Sequence, residues 1–233
     1  MTARPLARNW RRLRRSWLFS LLVMVLVVGG FRSAVADWHD VPTGSMRPTI
    51  LVGDRIFVNK LAYDLKIPFT KVRLASWDDP ARGDVVICTS PADGARLVKR
   101  VVAVPGDEIA MREGKLILNG RPVDYRRTDP EPWVTALGPE AEGLEFFTEE
   151  LPGRSHVVAM TPARANARDW GPVRVPEGQF FMMGDNRDQS ADSRYFGFIP
   201  RRDVAGRVTG VALSLDRDHG WTPRWSRFGR GLI

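Results

Sequence analysis

The sequence predicts a mainly β protein: a single N-terminal transmembrane helix, then an all-β core carrying a smaller inserted lobe. Three observations carry this expectation. Residues 17–31, WLFSLLVMVLVVGGF, form an almost unbroken apolar run. After residue 40 the chain reads as short apolar strands punctuated by Gly, Pro and Asp turns. Convincing amphipathic helix patterns are scarce beyond the apolar run.

The elements follow in order. Residues 1–16 form a basic N-terminus, with Arg4, Arg8, Arg11, Arg12, Arg14 and Arg15 and no acid among them. The apolar run is interrupted at Arg32 and extended by Ser33 to Ala36, so 17–36 is about long enough to cross a bilayer, with Arg32 near enough to the end to snorkel. Arginines before the span and Asp37 and Asp40 after it predict a cytoplasmic N-terminus and an external body. A cleaved signal peptide is the alternative, because a basic region, an apolar stretch and Ala34-Val35-Ala36 fit that pattern as well. In either case the rest of the chain is exported.

Residues 37–125 and 173–216 are expected to build the β core. Strands are predicted at 54–60, 84–89, 96–102, 108–112, 115–118, 179–183 and 204–215. EIAMREGKLILNG reads as a hairpin turning at Glu113-Gly114. Residues 126–172 are rich in Pro, Glu, Arg and small residues with weak periodicity, and read as an inserted lobe, part of which would be disordered. The tail 217–233 places Trp221, Trp225 and Phe228 among arginines, and reads either as a bilayer-surface contact or as a disordered basic end.

Composition narrows the chemistry. At 233 residues, with 43% hydrophobic and 27% charged residues, the chain is an ordinary folded protein with one substantial core. Its formal charge of +8 would suit nucleic acid or anionic lipid. The apolar run beside the arginines favours lipid, so phospholipid is an expected partner and nucleic acid is not. One cysteine, Cys88, excludes an internal disulfide and a cysteine metal site, and VVICTS makes it a buried strand residue. His39, His156 and His219 are scattered without metal-ligand spacing, so neither metal nor cofactor is expected.

Three segments carry the candidate chemistry: VPTGSMRPTILVGD (41–54), RLVKRVVAVPGD (96–107) and MGDNRDQSADSRYFGFIP (183–200). A serine beside a glycine usually marks a turn. Here Pro42 and Pro48 stiffen both flanks of Ser45, and Gly44 lets backbone approach a bound substrate. A serine nucleophile needs a base. None of the three histidines has motif-like surroundings, so a lysine is the remaining option if its amine is neutral. In RLVKRVV, alternation sets Leu97, Lys99 and Val101 on one face of a strand and Val98, Arg100 and Val102 on the other. Holding Lys99 among apolar side chains lowers its affinity for a proton. Moving a lysine from its ordinary value near 10.4 to neutrality takes roughly 4–5 kcal/mol of lost solvation, which burial can supply. A solvated strand lysine is the competing reading. In the third segment Asp185, Arg187, Asp188, Asp192 and Arg194 can form ion pairs within the loop, and Ser190 can hydrogen-bond an amine.

Together these segments resemble the signature boxes of type I signal peptidases, the Ser-Lys proteases of bacterial export, over about 41–60, 83–107 and 179–205. GDNRDQSADSRYFGFIP is close to diagnostic of them. The resemblance implies an all-β catalytic core with Ser45 as nucleophile, Lys99 as general base, Ser190 orienting the lysine, and Asp192 and Arg194 as structural partners. It implies an oxyanion held by the Ser45 N–H and the hydroxyl of Thr43, where the familiar pattern has serine. It implies small apolar pockets from Val41, Pro42, Met46, Ile50, Leu97 and Val98, each equally readable as a core residue. The expected protein is then a monomeric serine endopeptidase of the bacterial inner membrane, single-pass with its catalytic domain outside. It would remove N-terminal signal peptides from exported pre-proteins after Ala-X-Ala-like sites. Two rivals stand beside this: a specialised processor serving one assembly system, and a tethered β module that has lost activity.

Overall fold

A computed structural model describes residues 17–70, 72–162, 169–217 and 220–232. The six N-terminal arginines and His219 lie outside the described residues. Helix α1 (Trp17–Ala34) leads directly into strand β1 (Ala36–Asp40), so Ala36 lies in the first strand and not in the helix. The strands continue with β2 (Asp54–Asn59), β3 (Asp64–Lys66), β4 (Arg73–Ser76), β5 (Val85–Thr89) and β6 (Arg96–Ala103). Next come β7 (Glu108–Arg112), β8 (Lys115–Leu118), β9 (Arg121–Pro122) and β10 (Asp124–Arg127). Helix α2 (Glu131–Leu137) precedes the hairpin of β11 (Glu145–Leu151) and β12 (Arg154–Met160). Then follow β13 (Trp170–Arg174), β14 (Gln179–Met183), the single-turn helix α3 (Ser193–Phe196), β15 (Ile199–Pro200), β16 (Val204–Asp216) and β17 (Thr222–Pro223).

The main sheet runs β1-β2-β16-β5-β6-β14-β15, and β17 adds to β16. Its neighbouring strands pair antiparallel, so alternation decides which side chains meet. Strand β6 shows the rule. Leu97 and Val101 join one cluster with Val86, Cys88 and Met182, whereas Val98 joins another with Val85, Ile87 and Met46. Val102 and Ala103 enter a third cluster, where β7, β8 and β13 pack over Phe181 and Met183. Side chains buried as fully as Val86, Val101 and Ile87 contribute roughly 1.5–3 kcal/mol each. Between β7 and β8, Glu113 (φ 50°) and Gly114 (φ 76°) take the two left-handed positions of a tight hairpin turn.

Within the inserted lobe, residues 126–162 and 169–172 are more ordered than their weak periodicity suggests. Strands β10, β11 and β12 form a separate three-stranded sheet. Leu137, Ala141, Phe146 and Ala159 pack there around Leu51, which follows the Ser45 segment. Short length explains why α2 leaves little periodic trace: seven residues make barely two turns.

The tail is bound too, and the reading of it as a disordered end is corrected over residues 220–232. Arg224 Nη1 donates to the Val52 carbonyl at 2.9 Å, and Leu232 N–H donates to the Thr209 carbonyl at 3.2 Å. Arg227 is buried against Asp54 at 2.6 Å and donates to the Thr49 carbonyl at 3.1 Å. Arginines spaced for surface charge therefore serve as internal pegs. Trp221 and Trp225 remain exposed.

Candidate active site

Ser45 sits in the turns joining β1 to β2. Arg47 N–H donates to the Gly44 carbonyl (3.1 Å) and Ile50 N–H to the Met46 carbonyl (3.0 Å), curling the segment across the sheet. The Ser45 carbonyl accepts the Asn186 N–H at 3.1 Å, joining it to the third sequence segment. Lys99, on β6, brings Nζ to 2.7 Å from Ser45 Oγ. Its side chain is almost wholly enclosed, with the residue 2% exposed. Burial pushes the ammonium below its ordinary value. Asp192, Cys88 and Asp185 pull the other way, and Arg194 adds to the lowering. Among the described residues no carboxylate lies within ion-pair distance of Nζ. A free amine so placed accepts the hydroxyl proton, which is what general-base activation requires.

The other expected site residues divide. Ser190 is buried at the site, but its hydroxyl makes no hydrogen bond to a described residue, Lys99 included. It packs against Gly184: a Cβ built there would lie 2.3 Å from Ser190 Oγ and 2.4 Å from the Ser45 carbonyl oxygen. Asp192 and Arg194 pair at 2.7 Å, and Asp192 also accepts the Gly184 N–H at 3.0 Å. Thr43 and Pro42 are exposed at the rim. Val41, Met46 and Ile50 are buried together with Val85 and Ile87, while Leu97 and Val98 are half-buried.

In GDNRDQSADSR, Asp192 pairs with Arg194 within the loop as its sequence suggested, but Asp185 and Arg187 find their partners outside it. Asp185 is held by Arg100 of β6 at 2.7 and 2.8 Å and accepts the Thr49 hydroxyl. Burial alone would raise the Asp185 carboxyl, but Arg100 overrides it and keeps the group below its ordinary value. Arg187 pairs with Glu149 of β11 (2.7 Å through Nη2), and Asp188 accepts the Thr161 N–H at 2.6 Å. His156, buried on β12, lies 3.3 Å from Glu149 and 3.8 Å from Asp185. Burial, helped by Arg100, holds it below the usual histidine range. Sequence reasoning missed Thr49, Arg100, Glu149 and His156. Only Arg100 left a signal, since alternation placed its charge on a strand face opposite Lys99. Cys88 is the buried strand residue expected, its thiol pushed up to about 12 by burial.

Residues 14–213 match the model of the family described as signal peptidase, peptidase S26. The chain belongs to that family. It is a peptidase, and its relatives carry the same name. Signal peptidase I of Pseudomonas fluorescens is 35% identical over 224 residues, 91% of this chain and 76% of that one. The Pseudomonas aeruginosa protein is 34% identical over the same shares, and that of Rickettsia typhi 32% over 84% of this chain and 78% of that one. A crystal structure of signal peptidase I from Enterococcus faecalis, 28% identical, aligns with 57% of this chain and all of that one at a TM-score of 0.36.

Proposed function

We propose that this S26 peptidase is a membrane-anchored signal peptidase that cuts exported pre-proteins after Ala-X-Ala-like sites through a Ser45–Lys99 dyad. The observation that carries this reading is the 2.7 Å approach of a buried, unpaired lysine amine to the serine hydroxyl. Lys99 takes the Ser45 proton as Oγ attacks the scissile carbonyl. It then passes that proton to the leaving amine as the C–N bond breaks and the acyl-enzyme forms. The freed amine next takes a proton from water, whose oxygen attacks the ester and releases Ser45. The Ser45 N–H and the Thr43 hydroxyl meet the oxyanion. Ser190 lines the site between Gly184 and Ser45, and the Asp192–Arg194 pair holds the loop that carries it.

Leu97 and Val98 offer the half-buried apolar walls a small side chain needs, with exposed Pro42 at the rim and Val41, Met46 and Ile50 behind them. Signal peptides of pre-proteins are the substrates, and the enzyme works as a monomer. Helix α1 is long and apolar enough to cross a membrane, with 6% of its length buried against protein. With basic residues 1–16 inside, the body lies on the outer face of the bacterial inner membrane. Residues 126–172 act as a lobe that braces the nucleophile segment.

The test is precursor processing by the full chain in detergent or vesicles. Ser45→Ala abolishes cleavage of an Ala-X-Ala precursor, and Lys99→Met, folded by circular dichroism, slows it by about 10²–10⁴-fold. A Lys99→Met enzyme of wild-type rate refutes the dyad. A wild-type enzyme that leaves every such precursor uncut refutes the specificity.

A further inference from the structure

The end of α1 does not stand free of the body. Strands β3 and β4 pair as a ribbon whose tip folds back toward the helix, Ile67 N–H donating to the Val72 carbonyl at 2.9 Å. At that tip Phe69 takes a left-handed conformation (φ 65°), and its N–H donates to Ser33 Oγ at 2.7 Å. Its ring lies against Gly29, where a Cβ would come 3.3 Å from the ring. Gly29 is five residues from the end of α1 at Ala34, roughly 7.5 Å along the axis. A phenyl ring at that height sits below the level at which the helix leaves the membrane. It is nonetheless 70% exposed, and Ile67, Val72 and Leu74 of the same ribbon are exposed with it. Four apolar side chains turned outward on one ribbon are unusual in a water-facing surface.

Behind the ribbon, between it, the end of α1 and β16, lies an open cleft of about 210 Å³. Lys60, Lys66, Arg96 and Arg202 line it, with Asp203 as the one carboxylate. Nearby acids do not balance these cations. Asp64 serves Lys66 (3.5 Å), Arg73 (3.0 Å) and Arg201 (3.0 Å) together. Asp37 is shared by Arg32 (2.7 Å) and Lys60 (3.3 Å). Among the described residues, the side chain of Arg96 meets the His39 ring, at 3.5 Å, and no carboxylate. Lys60 Nζ also donates to the carbonyls of Arg32 (2.7 Å) and Ser33 (3.4 Å), which fixes the cleft to the last turn of the helix.

We infer that this cleft binds the phosphate headgroup of an anionic phospholipid while the Phe69 ribbon tip inserts among the acyl chains beside it. A negative headgroup completes the charge of the cleft, and the apolar ribbon continues the lipid-facing surface of α1. The inference rests on reading α1 as a membrane span. The body is thereby held in one orientation on the bilayer, which a single helix cannot impose.

The test uses the full chain in a Cys88→Ala background, carrying a nitroxide at Phe69→Cys or, as control, at the exposed Glu177→Cys. In phosphatidylcholine vesicles containing phosphatidylglycerol, the label at 69 is expected to be accessible to oxygen and shielded from a water-soluble nickel chelate, and the label at 177 the reverse. Lipid retained by purified protein is then measured by native mass spectrometry. Preference for phosphatidylglycerol over phosphatidylcholine falls by about 100-fold in Lys66→Gln/Arg96→Gln/Arg202→Gln, at roughly fivefold per cation. Should the triple variant not fold, Arg202→Gln alone, 81% exposed in its side chain and paired among the described residues to Asp203 at 3.7 Å, carries the fivefold change. A water-exposed label at 69, an unchanged lipid preference, or inorganic phosphate displacing the lipid at equal concentration overturns the inference. Retention of the chain on membranes after a carbonate wash reads the anchoring separately. A chain that washes off refutes the span, and one that stays with an aqueous label refutes only the lipid site.

Discussion

Lys99 and Arg187 are both buried cations, carried on segments that meet at Gly184, and their treatment is opposite. Arg187 has no exposed side-chain surface, and its guanidinium is bidentate to Glu149, with further contacts to the Tyr125 hydroxyl and the Gly184 carbonyl at 3.3 Å each. Burial works against the Arg187 cation, yet Glu149 overrides it, so its proton is held more tightly than an ordinary arginine's. Lys99 is enclosed almost as fully and is given a neutral hydroxyl instead of a carboxylate. Its proton is therefore held less tightly. A paired buried charge holds the fold, and an unpaired one is available for proton transfer.

The largest test of this contrast is Lys99→Met. Processing is expected to fall by about 10²–10⁴-fold, while thermal stability holds or rises, because no charge partner is left stranded. Loss of stability matching that of an arginine deletion would mean that Lys99 is structural. The wild type should show the same chemistry in its pH dependence. The unfolded chain keeps its lysine proton up to about 10.4, whereas the folded chain releases it at lower pH. Both the rate and the stability contributed by this site are therefore retained at high pH and lost as pH falls through the lowered value. A rate that stays flat with falling pH while the protein remains folded would contradict a lysine base.

Arg187→Met should do the reverse. It strands Glu149, buried with Tyr125 and His156 around it, and is expected to cost about 3–5 kcal/mol in urea unfolding. Adding Glu149→Leu should recover most of that loss, since removing both charges together is often neutral. If Arg187→Met alone is tolerated, the ion pair is not what fastens the GDNRDQ loop to β11.

Gly184→Ala lies between the two cations and separates their roles. The new methyl carbon would clash with Ser190 Oγ and the Ser45 carbonyl oxygen, so the Ser45 segment must move. Overpacking of this kind costs about 1–3 kcal/mol, and a displacement approaching 1 Å costs about 10²-fold in rate. Equal kcat in wild type and variant, measured with precursor at saturation, would show that the loop absorbs the methyl without moving Ser45.

Legibility in the sequence tracked the distance over which each feature is encoded. Strands β5, β6, β7, β8, β14 and β16 lay within a residue or so of their predicted bounds, because period-two alternation is local. The Glu113-Gly114 turn was equally readable. Lys99 could be set on a strand face but not beside Ser45, 54 residues away, since no local pattern encodes that contact. The same limit hid Glu149, whose partner Arg187 is 38 residues off, and Arg227, which reaches Asp54 across 173. Two-residue strands such as β9 and β17 are too short to alternate at all. Burial of Arg187 and Arg227 ran against every compositional expectation, because arginine enters a core only where a carboxylate from elsewhere in the chain awaits it.

Arg47 offers the mildest test, because it stands between the two extremes. Its guanidinium covers Gly44, where a Cβ would fall 2.6 Å from it, and its charged partner among the described residues is Glu140, whose side chain is 40% exposed. Arg47 therefore belongs to the Ser45 segment, and Glu140 ties that segment to the α2 region. Solvent at Glu140 limits the stability of the pair to at most about 1 kcal/mol, so Glu140→Gln should barely shift the unfolding midpoint. The rate should respond more than the stability, with a drop of about two- to threefold in kcat at unchanged KM, as a less constrained Ser45 meets Lys99 less often in line. Charge exchange, Arg47→Glu with Glu140→Arg, should not restore it, because glutamate is too short to cover Gly44. Full recovery in the exchanged pair would show that the ion pair alone, and not the arginine stem over Gly44, positions the nucleophile.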